Sequence, residues 1–158
     1  MDLSNELAVL FRRDIDRLIQ EIEAFPDEKT LWECPVGMTN SAGNLALHLV
    51  GNLREFVGRQ LGGVPYERQR DLEFSSAGIA AAELVRRIAE VRELVPRVIS
   101  AITPGAMEAG HPDGVSRGMP STRQFLFHLL GHFSYHLGQI DAMRRILSKG
   151  TAITFAGL

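Results

Sequence analysis

Apolar residues recur in steps of three and four over four long stretches of the chain, the spacing of helices that bury one face. The first stretch predicts a helix over residues 2–25, with Leu3, Leu7, Phe11, Ile15, Leu18, Ile22 and Phe25 on one side. Arg12, Arg13, Asp16, Arg17, Glu21 and Glu23 occupy the other faces, and Pro26 ends it. A second helix is expected from about 40 to 61. Thr39, Asn40 and Ser41 are its candidate caps, Leu45, Leu49, Leu53 and Phe56 its stripe, and Gly62-Gly63 its stop. The third, from about 76 to 103, carries the most regular stripe: Leu84, Ile88, Val91, Val95, Val98 and Ile102. Pro96 falls inside it and should kink it or cost stability, because its ring displaces one backbone hydrogen bond; the alternative is that the helix breaks there. The fourth opens on the capping box S-T-R-Q at Ser121–Gln124 and ends near Lys149-Gly150.

Between these lie three loops. Residues 26–39 hold the only tryptophan, Trp32, expected to plug one end of the fold. The run V-P-Y-E-R-Q-R-D-L-E-F reads as a polar connection. Residues 104–120 are rich in Gly and Pro and read as a long surface loop able to cover a pocket, with His111 solvated in it. The apolar tail, with Ile153, Phe155 and Leu158, is expected to dock on the same chain or on a second subunit. No strand pattern competes, so the expected fold is all-α, a four-helix bundle formed by one domain over residues 1–158.

Bulk properties narrow the function without choosing one. At 158 residues, 45% hydrophobic and 23% charged, the chain reads as one ordinary globular domain. A net charge of −2 offers no footprint for nucleic acid. No apolar run approaches the length of a membrane span, and the acidic N-terminus is unlike a secretory signal. The single cysteine, Cys34, excludes an internal disulfide and fits a cytoplasmic protein.

The chemistry concentrates in F-L-F-H-L-L-G-H-F-S-Y-H-L-G-Q-I, residues 125–140. His128, His132 and His136 stand four apart on one strip of the fourth helix. Taking Phe125, Leu129, Met143 and Leu147 as the core line, His136 points at the core, His132 lies about 40° beside it and His128 about 80° off. Two imidazoles at core positions need partners for their nitrogens, and a divalent cation supplies one for both. His48, in the apolar run N-L-A-L-H-L-V-G-N-L, is the other histidine in such a setting. The expected metal ligands are therefore His48, His132 and His136, three protein ligands that leave room for water or substrate. The competing reading is a hydrogen-bonded polar core network. His128 is expected in the pocket wall, with Asn52 and Gln139 as candidates for orienting a ligand. No zincin motif, Walker loop or dinucleotide fingerprint is present.

Two separated motifs carry a resemblance spanning nearly the whole chain: W-x-x-P at Trp32 and Pro35 followed by S-A-G-N-L-A-L-H-L-V-G-N-L-R, and H-F-S-Y-H-L-G-Q-I on the last helix. In these the chain resembles the DinB-like (YfiT-like) superfamily of metal-dependent hydrolases and transferases. The resemblance implies a four-helix bundle whose three histidines, here His48, His132 and His136, bind zinc, nickel, iron or manganese. It also implies a homodimer and a small-molecule substrate. Characterised relatives join low-molecular-weight thiols such as bacillithiol or mycothiol to electrophiles, so thiol activation by the metal is the expected activity. Hydrolysis of a small substrate, or a non-catalytic metal-binding bundle, are the alternatives. Many members carry H-R-G-Q where this chain has His136-Leu137-Gly138-Gln139, so a cation those relatives have is missing here.

Overall fold

The computed structural model describes residues 2–112 and 120–153. Among these the chain is all-α, and four long helical segments carry the core, as the periodicity predicts. Helix α1 spans Leu3–Glu23, α3 Ala42–Leu53, α5 Ala81–Ser100 and α7 Thr122–Ser148. Helices α1 and α3 each pack against both α5 and α7, which closes the four into a ring. Inside it Phe11, Ile15, Leu18, Val57, Leu84, Ile88, Val95, Leu126 and Ile140 are wholly buried.

The ends of these helices follow local chemistry. Asp2 caps α1 by accepting from the Asn5 amide at 3.0 Å. Of the three candidate caps for α3 the chain uses Ser41, which takes the Asn44 amide at 3.2 Å. Ser121 takes the Gln124 amide at 3.2 Å and so fixes where α7 begins. Lys149, at φ 53°, ends α7 in the left-handed conformation. Helix α5 runs on through Pro96 to Ser100, so of the two expectations the break does not occur.

The stretches expected as plain loops contain short helices. Glu28–Trp32 forms α2, Arg70–Ser75 forms α4 and Pro104–Glu108 forms α6. Their amphipathic patterns are too short to register as helical periodicity. Trp32 does pack at the core, and its indole N–H donates to the Ile79 carbonyl at 3.0 Å. The second predicted helix changes pitch partway, with a π-helical segment over Arg54–Arg59 continuing α3. Amides there reach back five residues, Gln60 to the Glu55 carbonyl and Gly62 to that of Val57. Two glycines let this segment press onto α5: a Cβ at Gly58 would lie 2.9 Å from Leu94, and one at Gly62 2.6 Å from Val98.

Helix α3 is buried almost all round, not on one stripe, because α2 and α4 cover the faces its ring partners leave open. Helix α4 is stitched to it by Asn44, whose amide donates to the Glu73 carbonyl at 3.1 Å and the Ser76 carbonyl at 2.8 Å. His111, expected in solvent, is 5% exposed and lies between Phe125, 4.2 Å away centre to centre, and Phe56. The aromatic ends of α7 and of the π-helical segment bury it. Residues 113–119 of the long loop, with its expected covering role, and the tail residues Phe155 and Leu158 lie outside the described residues.

Candidate metal centre

Helices α3 and α7 cross so that His48 meets His132 and His136. Their ring centroids lie 5.2 and 5.5 Å from that of His48, and 4.6 Å from each other. One nitrogen from each ring falls within 4.8 Å of the other two, a grouping that could hold a metal ion. His48 Nε2 and His132 Nε2 are 3.3 Å apart. Two ligands each about 2.1 Å from one ion, at a near-tetrahedral angle, stand about that far apart.

The outer nitrogens say more about fit. His48 Nδ1 is 2.9 Å from Glu73 Oε2, an acceptor, so Nδ1 carries the proton and Nε2 turns a lone pair inward. His136 Nδ1 is 2.7 Å from Gln139 Oε1, which leaves its Nε2 as the free donor in the same way. Two of the three imidazoles are thus held in the tautomer a cation requires, each by an outer acceptor. Burial, and then the neighbouring His136, His48 and His128, push His132 down to about 4, so it is a neutral base at neutral pH. Burial likewise lowers His136, against the opposing pull of its bond to Gln139. The donor set fits a borderline divalent ion of the zinc, nickel or iron type.

The strip of α7 sits differently from its expected angle. Leu126, Phe133, Leu137 and Ile140 are buried along with Phe125, Leu129 and Met143. That set centres near Ile140, about 40° beyond His136, so each histidine lies about 40° further from the core than expected. His132 and His136 are accordingly half-buried and His128 is exposed. The histidines therefore stand at the edge of the core, within reach of a ligand from outside. His128 and Asn52 line a cavity of about 260 Å³ together with His48 and His132. Asn52 makes no hydrogen bond to a histidine among the described residues, whereas Gln139 does. Cys34 is exposed, and its thiol bonds the Met38 carbonyl.

Two residues that the sequence reading passed over complete the centre. Glu73 of α4 is 6% exposed and takes Arg68 as a fork, Nε at 2.7 Å on Oε1 and Nη2 at 2.9 Å on Oε2, while also accepting from His48. Burial would raise this carboxyl. The hydrogen bonds and charges of His48 and Arg68 outweigh that and hold it below its ordinary value. Gly51, one turn after His48, makes the seat: a Cβ there would lie 2.1 Å from Glu73 Oε1. The only hint in the sequence was a glycine inside an apolar helix. The site also has its cation. Leu137 is in the hydrophobic core at 8% exposed, and Arg68 Nη2 lies 3.4 Å from His48 Nδ1.

Fold and site together define an all-α protein with a three-histidine grouping at the junction of two helices. A family model described as the DinB superfamily matches residues 10–140, and the chain belongs to that superfamily. No curated protein and no solved structure matches it. No helix among the described residues is long and apolar enough to cross a membrane.

Proposed function

We propose that the protein is a metal-dependent enzyme that activates a low-molecular-weight thiol for transfer to an electrophile, with His48, His132 and His136 as the metal ligands. The carrying observation is the convergence of three imidazole nitrogens, two of them with their outer nitrogens already bonded. A divalent ion bound there supplies Lewis acidity, which lowers the pKa of a thiol or water beside it. Glu73 and Gln139 hold the imidazoles in register and keep their outer protons in place. Among the described residues the cavity lining at His48 and His132 contains no carboxylate, and Glu73 is committed to Arg68 and His48. That argues against a carboxylate general base of the kind a hydrolase would use, and favours a nucleophile acidified by the ion. As part of this reading the protein works as a homodimer in the cytoplasm, and light scattering on the purified chain tests the dimer.

The experiment is elemental analysis of protein purified without a metal-affinity tag, as wild type and as His132→Ala, with circular dichroism on both. About one equivalent of a divalent ion is expected in wild type. It should be lost from a still helical variant. No metal after soaking with zinc, nickel and iron salts refutes the site. Titrating cobalt-loaded protein with 2-mercaptoethanol separates the two chemistries. A sulfur-to-cobalt charge-transfer band supports thiol activation, and its absence favours hydrolysis.

A further inference from the structure

The cavity beside the histidines is lined by two arginines and three apolar side chains, and this pairing says what it takes. Arg68 is a prepared donor. Its side chain is 14% exposed, its Nε and Nη2 are spent on Glu73, and its guanidinium lies 5.7 Å from the centre of the Phe56 ring. Its Nη1 makes no hydrogen bond among the described residues, so two N–H donors are left over on a group that is already immobile. Binding an acceptor there costs little side-chain entropy. Arg70, two residues on, is exposed, rests over the Phe74 ring at 5.1 Å and makes no ion pair among the described residues. Both arginines line the cavity together with Phe56, Phe125 and Leu129. Among the described residues no carboxylate lines the cavity, and Glu73 engages only Nε and Nη2 of Arg68, which leaves Nη1 and the Arg70 guanidinium for an incoming anion.

We infer that the cavity binds a small ligand bearing a carboxylate, received by Arg68 and Arg70, with its apolar body against Phe56, Phe125 and Leu129. A planar carboxylate matches guanidinium donors, and about 260 Å³ suits a ligand no larger than an aryl or short alkyl acid. This rests on the reading of the histidines as a metal centre, since it places the ligand's other end beside His48 and His132.

The test compares phenylacetate with its neutral isostere phenylacetamide, by calorimetry, on metal-free and zinc-loaded protein. Elemental analysis is run on every sample. Phenylacetate should bind about tenfold tighter in both forms, the weight of one charge-assisted pair. Arg70→Met should shrink that preference to about threefold or less while zinc content stays at the wild-type level. Equal affinities in the metal-free protein, with a preference appearing only on zinc loading, would assign the anion to the ion and overturn the inference. So would phenyl phosphate binding more tightly than phenylacetate, which would make phosphate the ligand. Failure of the metal reading appears separately, as absence of zinc in the elemental analysis, and leaves the metal-free comparison intact.

Discussion

Glu73 is not itself a proposed metal ligand, yet the geometry makes it the group that decides whether His48 can serve. Its carboxylate fixes the His48 proton on Nδ1 and is itself fixed by Arg68. Replacing it by glutamine keeps the volume but removes the charge and sets an amide N–H₂ against Arg68 or His48. Loss of such an outer partner costs metal affinity about 10- to 100-fold, or about 1.4–2.7 kcal/mol. Gly51→Ala should produce the same loss by another route. Its Cβ would lie 2.1 Å from Glu73 Oε1 and 2.8 Å from Cδ, so the carboxylate must leave its seat although it is chemically intact. Because both changes break one interaction, they should not add: the double variant should bind zinc about as weakly as the worse single variant. The assay is competition for zinc against a chromophoric chelator, with circular dichroism to show that the helices persist. Wild-type affinity in Glu73→Gln would refute the reasoning. So would a double variant whose loss is the full sum of the two singles, since Gly51 would then act through something other than Glu73.

Three other expectations follow from the same structure. His132 titrates near 4 in the fold and near 6.5 when free, so the unfolded chain takes up the proton first. The thermal midpoint of chelator-treated protein should therefore hold above pH 6.5 and fall as pH drops toward 4, and His132→Leu should flatten that fall. Gly43→Ala would put a Cβ 2.7 Å from two ring carbons of Trp32, whose indole is tied to the Ile79 carbonyl. It should cost about 1–3 kcal/mol in urea unfolding and shift the emission of the single tryptophan. Ser121→Ala removes the acceptor for the Gln124 amide at the start of α7 and should lower stability by about 1 kcal/mol in the same assay, with metal content unchanged.

Helices α1, α5 and α7 were legible because each buries a face for five or more turns, enough repeats for period to stand out from composition. Helix α4 was not, because six residues repeat nothing, and its docking depends on Asn44 and Glu73 reaching partners about 30 positions away in the chain. The metal-ligating candidates were legible from their spacing and their apolar settings, since an i,i+4 pair needs no tertiary information to share a face. Their angle was not. Choosing four apolar residues as the core line of α7 ignored Phe133 and Leu137, whose burial turns the helix by about 40° and sets the histidines at the rim. His111 was misjudged for the opposite reason: a loop rich in Gly and Pro looks solvated, but Phe56 and Phe125 close over this part of it.

The rotation of α7 and the burial of α4 belong to one arrangement. A histidine pair aimed at the core centre would be closed in by leucines, with room for an ion and nothing else. Turned to the rim, the pair faces the gap between α7 and α3, where His48 arrives from a helix buried on nearly every side. A histidine so placed cannot draw an outer acceptor from solvent. Helix α4 brings one, and Gly51 leaves the hole it enters. The residues that deliver Glu73 also deliver Arg68 and Arg70, and the π-helical segment brings Phe56 to the same cavity. The short, non-periodic connection after α3 thus supplies both the support for one proposed ligand and the two arginines of the wall that a substrate would meet. Exchanging residues 64–76 for those of another family member should change ligand preference and metal affinity together, whereas changes confined to α1 and α5 should alter stability alone.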